Sequence, residues 1–239
     1  MAETKYGRRC LGTVAVMAGV HSLPTPFVKS LVYMQQFNHE YIEKDGEFVH
    51  YDFLDTISYH ENMRNEASKR MMGDWLLQLD TDHSFDPDLL SRLLTLLDAY
   101  NLPMIGANYF KKGEPHFPVV VKWNQELEKL VIDVDKDTGR LRWKAGDALF
   151  PTDAGGGGGL LVRKEVFDRV RKEFQCEPFE AITPWKEDYS FFMRCKDLEI
   201  PYHISPRVQM PYLVWGGIEE KDYIEKGKEW GVEYGEDET

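Results

Sequence analysis

The sequence predicts an α/β protein: a mixed sheet flanked by helices, with a small antiparallel β insertion. Three observations point there. Apolar runs of strand length alternate with amphipathic helical stretches through residues 11–110, the pattern of strands joined by crossover helices. Residues 117–143 then break into short alternating runs around Asp135-Lys-Asp-Thr-Gly139, a hairpin-turn sequence. Finally, 239 residues with a hydrophobic share of 42% and 13% aromatics suffice for one large packed domain and argue against disorder. No repeat or clear linker divides the chain.

Taken in order, residues 11–18 are small or β-branched, end in Gly19, and predict the first strand. Thr25 as N-cap and Pro26 at the first helical position predict a helix with Phe27, Leu31, Met34 and Phe37 on one face. Residues 47–57 alternate as a second strand and 61–72 form a polar helix, which Gly73 and Asp74 end. Trp75-Leu-Leu-Gln-Leu79 is the third strand. Asp86 as N-cap, Pro87 in the first turn and Asp88 beside the positive dipole end predict the next helix, which carries Leu89, Leu90, Leu93, Leu94 and Leu97. Residues 102–108 return as a strand. Beyond the insertion come the glycines 155–159, the apolar 160–162, a helix over 164–174, a helix over 187–198, a strand over 201–205 and a terminal helix over 218–230.

The formal charge of −12 does not favour a general nucleic-acid binder, although it leaves room for a local basic groove. Cys10, Cys176 and Cys195 lack paired spacing, so reduced thiols are expected rather than a disulfide framework or zinc knuckle. Residues 5–20 are too short and too interrupted by Gly12, Thr13 and Gly19 for a targeting signal, and no stretch approaches the ~20 apolar residues of a membrane span. A cytoplasmic location is the expectation.

Chemistry concentrates where the third strand ends. If Asp80-Thr-Asp82 stays extended, both carboxylates point to one side and repel unless a cation neutralises them. A divalent ion held there could also bind a diphosphate and stabilise its departure. The plainer alternative is an acidic turn that caps the next helix. As a calcium loop the stretch fails, because Phe85 stands where the turn needs Gly and Ser91 where a Glu should close it. Glu187 and Asp188 begin a helix, which stabilises the anion and suits a carboxylate placed to accept a hydroxyl proton; an N-terminal pair without chemistry is the competing reading. Trp185 beside them could stack on a sugar or pack in the core. The glycines 155–159 lack the Lys-Ser/Thr ending of a P-loop and suggest either close backbone approach to a substrate or a flexible connection.

Trp75-Leu-Leu-Gln-Leu-Asp-Thr-Asp82 with Asp86-Pro-Asp88, then 153–167, then Trp185-Lys-Glu-Asp-Tyr-Ser-Phe191, resembles the family-2-like glycosyltransferases of the GT-A fold, compact bacterial and bacteriophage members included. The likeness spans residues 12–205. It implies a Rossmann-type GT-A sheet in a single domain, 1–239, with a nucleotide-sugar-binding half over 11–110, an acceptor-side half over 111–217, and a helix and acidic tail over 218–239. It also implies a glycosyltransferase that uses Mn²⁺ or Mg²⁺ and a UDP- or GDP-type donor. The acceptor would be a hydroxyl on a glycan or a modified nucleic-acid base. By the same resemblance Asp82 is the metal ligand, Asp80 a ribose or metal-water contact, and Asp188 the general base with Glu187 beside it. Arg64 and Asp55 would approach the nucleotide, while Trp185, Asp153, Gly158 and Gly159 would border the acceptor. The family's metal-binding His is expected near Pro211 or Tyr212. His203 lies several residues earlier, where a core strand His competes with a ligand. Outside the resemblance, a nucleotidyltransferase and a non-catalytic calcium- or carbohydrate-binding module remain open.

Overall fold

The computed structural model describes residues 7–19, 23–55, 60–110, 118–125, 129–132 and 147–213. Its elements run β1 (Arg9–Met17), α1 (Thr25–Tyr41), β2 (Glu47–Phe53), α2 (His60–Arg70), β3 (Trp75–Asp80), α3 (Leu89–Ala99), β4 (Met104–Asn108), β5 (Val120–Asn124) and β6 (Lys129–Ile132). Then follow β7 (Phe150–Thr152), β8 (Ala154–Gly155), β9 (Leu160–Arg163), α4 (Lys164–Phe174), α5 (Glu187–Asp197) and β10 (Tyr202–Gln209).

Seven strands form one sheet in the order β2-β1-β3-β9-β4-β10-β7, and β6-β5-β8 form a small antiparallel one. β2, β1 and β3 are parallel, as are β4 and β10. β9 runs antiparallel between β3 and β4, so the first two thirds of the sheet are not a continuous parallel array. The mixed sheet and the antiparallel insertion are therefore both present, with the reversal at the centre of the sheet as well as at its β7 edge.

α1 begins at Thr25 with Pro24, not Thr25, as its N-cap, and β2 ends at Phe53; two further boundaries differ from the sequence expectation for local reasons. α3 starts at Leu89 rather than Pro87, because the Leu89 N–H closes a turn on the Asp86 carbonyl at 3.1 Å. β10 continues past Ser205 to Gln209, where an irregularity lets it rejoin β4 opposite Asn108. The hairpin turn expected at 135–139, the run at 140–143 and the terminal helix at 218–230 lie outside the described residues.

The sheet separates two cores. On one face Phe27, Leu31 and Met34 of α1 and Leu89, Leu90, Leu93 and Leu97 of α3 pack on Val14, Val16, Leu77, Leu79, Ile105 and Leu161. On the other, Met63 and Ala67 of α2, Val166, Phe167 and Val170 of α4, and Phe191, Phe192 and Cys195 of α5 cover Ala15, Leu76, Met104, Leu160 and Val162. Strands covered on both sides must be apolar nearly throughout, which is why β3 is apolar up to Asp80 except for Gln78, and β9 up to Arg163. Cys10, Cys176 and Cys195 are all free thiols. Among the described residues no helix is long and apolar enough to cross a membrane.

Leu161 is fully buried at the centre of the sheet. Leu161→Ala is expected to lower stability by about 2–5 kcal/mol. Urea unfolding followed by circular dichroism measures it; a loss under 1 kcal/mol would contradict a central position for β9.

Candidate active site at the carboxyl edge of the sheet

Alternation along β3 sends Trp75, Leu77 and Leu79 toward α1 and α3, and Leu76, Gln78 and Asp80 toward α2 and α5. α2 buries Met63 and Ala67, and the same turn of helix carries Arg64 inward, leaving it only 2% exposed. Its guanidinium is held through both Nη atoms. Nη2 donates to both Asp80 oxygens at 2.9 and 3.0 Å, and Nη1 donates to Gln78 Oε1 at 2.9 Å and to the Gly157 carbonyl at 3.0 Å. Nε lies 3.7 Å from Glu187 Oε1. Burial works against the cation, but Asp80, Asp188 and Glu187 outweigh it and hold Arg64 protonated. Burial likewise pushes the Asp80 carboxyl up, and Arg64 with His83 pulls it below its ordinary value. An arginine so committed orients Asp80 and has little left to offer a nucleotide.

The extended Asp80-Thr-Asp82 geometry does not occur. β3 stops at Asp80 and a turn follows, so strand alternation does not set the direction of the Asp82 side chain. The Leu213 N–H donates to the Asp82 carbonyl at 2.7 Å and the Ser84 N–H to the Pro211 carbonyl at 3.0 Å, which ties the turn to the chain after β10. Asp82 keeps its side chain 42% exposed. His83, 1% exposed, lies between the Tyr109 and Tyr212 rings at 4.6 and 4.1 Å. Its Nδ1 faces the Met210 carbonyl at 3.0 Å and must carry the proton there, which turns Nε2 toward Asp82 Oδ1 at 3.4 Å.

The glycine run is packed, not a flexible connection. Residues 155–159 are all buried, filling the gap that β9 opens between β3 and β4. A Cβ on Gly157 would stand 2.5 Å from Arg64 Cζ, and one on Gly158 would stand 3.0 Å from Asp80 Oδ2. Gly159 adopts φ +71° with its Cβ direction blocked by Met210 and Ala107. The Tyr109 hydroxyl lies against Gly156.

α5 delivers Glu187 and Asp188 in its first turn, as the sequence predicts. Burial raises the Asp188 carboxyl above its ordinary value; Arg64 opposes that, and Glu187 and Asp80 add to it. Trp185 is half-buried and meets Trp123 of β5 edge-on at 5.9 Å, joining the small sheet to the start of α5.

The other expected positions scatter. Asp153 accepts from the Trp123 N–H and from Lys196 Nζ, each at 2.8 Å, and so braces β5 against α5. Asp55 is exposed just past β2. His203 shares the sheet face of Ile105, opposite to that of Asp80, so the fold does not bring it to Asp82. Gln78, His83 and Tyr109 belong to the site but escaped the sequence reading. Gln78 carried a signal: it is the one polar residue in its run and has the parity of Asp80.

A mixed sheet with an acid-lined carboxyl edge, an inserted antiparallel strand and a covering helix that begins on two acids makes the fold GT-A-like. Among solved structures the chain is similar to A197 from STIV, with a TM-score of 0.51 and 15% identity over 87% of this chain and 86% of that one. A second likeness is to residues 1–349 of TarS from S. aureus, with a TM-score of 0.45 and 13% identity over 84% of this chain and 59% of that one. No family model matches the sequence, and no curated protein matches it.

Arg64→Met strands Asp80 without its counterion and is expected to cost about 3–5 kcal/mol, measurable by urea unfolding. The signs differ for the two acids. Asp80, held below its ordinary value, stabilises the fold above the unfolded carboxylate value, and that contribution is lost as pH falls through the folded value. Asp188, held above its ordinary value, opposes folding as pH rises through that higher value. In Arg64→Met the Asp80 contribution to the acid-side loss of stability should therefore vanish or reverse, which flattens the acid limb; an unchanged acid limb would refute the pairing.

Proposed function

We propose that this protein is a glycosyltransferase that moves a sugar from a nucleoside diphosphate donor to an acceptor hydroxyl. One observation carries the reading. Asp188, in the first turn of α5, is a half-buried carboxylate with raised proton affinity, within electrostatic reach of Arg64 and Asp80. A base poised in that way accepts the acceptor's proton as the new C–O bond forms and the bond to the diphosphate breaks. The negative charge gathers on the departing diphosphate.

Mn²⁺ or Mg²⁺ would bind that diphosphate and spread its charge when present. The donor set fits a cation that takes most of its ligands from substrate and water. Asp82 offers a partly exposed carboxylate, with His83 Nε2 turned toward it, while Asp80 is occupied by Arg64. Among the described residues no three His, Cys, Asp or Glu side chains converge on a single position. That number of protein ligands suits Mg²⁺ or Mn²⁺ at a phosphate and would be too few for a closed structural site. The donor is of UDP or GDP type, and the acceptor is a glycan or nucleic-acid hydroxyl.

Asp82→Ala should abolish Mn²⁺-dependent turnover of the nucleotide sugar and leave thermal unfolding unchanged. Transfer at the wild-type rate in that variant would sink the assignment. Released nucleoside diphosphate, rather than pyrophosphate, separates glycosyl transfer from nucleotidyl transfer. Asp188→Asn should reduce the transfer rate ~10²–10⁴-fold with donor binding intact. The wild-type rate should fall on the acid side through a value above that of an ordinary carboxylate; persistence of that limb in Asp188→Asn would assign it to another group.

A further inference from the structure

Asn108, the last residue of β4, is 1% exposed, yet neither its Nδ2 nor its Oδ1 has a hydrogen-bond partner among the described residues. Its backbone is fully engaged, since the Met210 N–H donates to its carbonyl at 2.8 Å, so the strand end is ordered and only the amide stands unmatched. A buried polar group in that state costs about 1–3 kcal/mol, and a trapped water or a bound ligand removes that cost. Tyr202 repeats the pattern: it is 3% exposed and its hydroxyl also lacks a hydrogen-bond partner.

The register fixes where the amide points. Ile105 and Ala107 face α1 and α3, so Met104, Gly106 and Asn108 share the other face with Gln78 and Asp80. Gln78 of β3 and Gly106 of β4 both oppose Leu160. Before Leu160 the chain turns at 158–159, with the Gly159 N–H donating to the Gln78 carbonyl at 2.8 Å and the Ala107 N–H to the Gly159 carbonyl at 2.9 Å, while β3 and β4 run on to Asp80 and Asn108. Asp80 and Asn108 are therefore matched positions two strand spacings apart, about 10 Å. Gly158 lies against the Asp80 carboxylate, where a Cβ would stand 3.0 Å from Oδ2, and the Asn108 amide belongs to the same sheet face. Tyr202 rises on the same face, its hydroxyl against Gly106 and Gly155.

We infer that Asn108 reads hydroxyls of the transferred sugar, its amide donating to one and accepting from another as the ring sits over Gly158. A carboxamide offers both roles at once, which suits neighbouring sugar hydroxyls and gives no charge to a phosphate. The inference rests on the glycosyl-transfer reading and adds a determinant of donor-sugar choice to it.

Calorimetry with Mn²⁺ tests it, using UDP-glucose, UDP-N-acetylglucosamine and GDP-mannose, each against its nucleoside diphosphate. In the wild type at least one nucleotide sugar should bind tighter than its diphosphate. Asn108→Ala should erase at least tenfold of that difference, keep the affinity for the diphosphate, and unfold at the same or a higher temperature. Asn108→Asp, which retains only acceptors, should fall between. If Asn108→Ala keeps the sugar preference, or loses the diphosphate as well, the assignment is wrong. A fall in melting temperature with unchanged binding would overturn it too, since the amide would then be satisfied by trapped water. A wild type that binds diphosphates without sugar preference removes Asn108 alone; one that binds no nucleotide removes the glycosyl-transfer reading along with it.

Discussion

The site depends on a guanidinium buried where no water can solvate it. Arg64 stays charged at the centre of the molecule because Asp80, Gln78, the Gly157 carbonyl and Glu187 surround it. Withdrawn from water a lone charge is prohibitively costly, and the four partners come from three segments besides the helix that carries Arg64. Helix α2, strand β3, the glycine run and the start of α5 are thereby held in register at one point. The position of Asp188 follows from this, because α5 is tethered there by its neighbour.

The second constraint is the reversed strand. By passing between β3 and β4, β9 forces the glycines before it into the gap at the carboxyl edge of the sheet. Any side chain at Gly157 would strike Arg64, and one at Gly158 would press on Asp80. Absence of side chains is here a packing requirement. The chain's own backbone takes the close approach to Arg64 and Asp80.

Much of the architecture was legible because periodicity reports burial. The five leucines of α3, the β3 run and the Glu187-Asp188 helix start all appear where their patterns put them, with terminal errors of one or two residues at turns such as 86–89. The candidate site was only partly legible. Alternation along one strand would pair Asp80 with Asp82, but the strand ends at Asp80 and Asp82 lies in the turn after it, its carbonyl accepting from the Leu213 N–H. Arg64 looked like a nucleotide contact on a solvated helix, whereas it is sealed inside against Asp80. His83 drew no notice, since nothing local says that an imidazole will be clamped between two tyrosines contributed by distant segments.

By itself the sequence determined the alternation of strands and helices, the small antiparallel insertion, the apolar faces and the acids at the ends of β3 and the start of α5. Those are properties of spacing, and spacing within one element sets which side chains share a face. Only the tertiary structure decided that β9 lies between β3 and β4, that Arg64 neutralises Asp80 instead of meeting solvent, that His203 faces away, and that Asn108 stands buried and unmatched. Each of these depends on which segment arrives alongside from far along the chain. Burial, and with it proton affinity and the demand for a partner, belongs to that assembly and not to any local stretch.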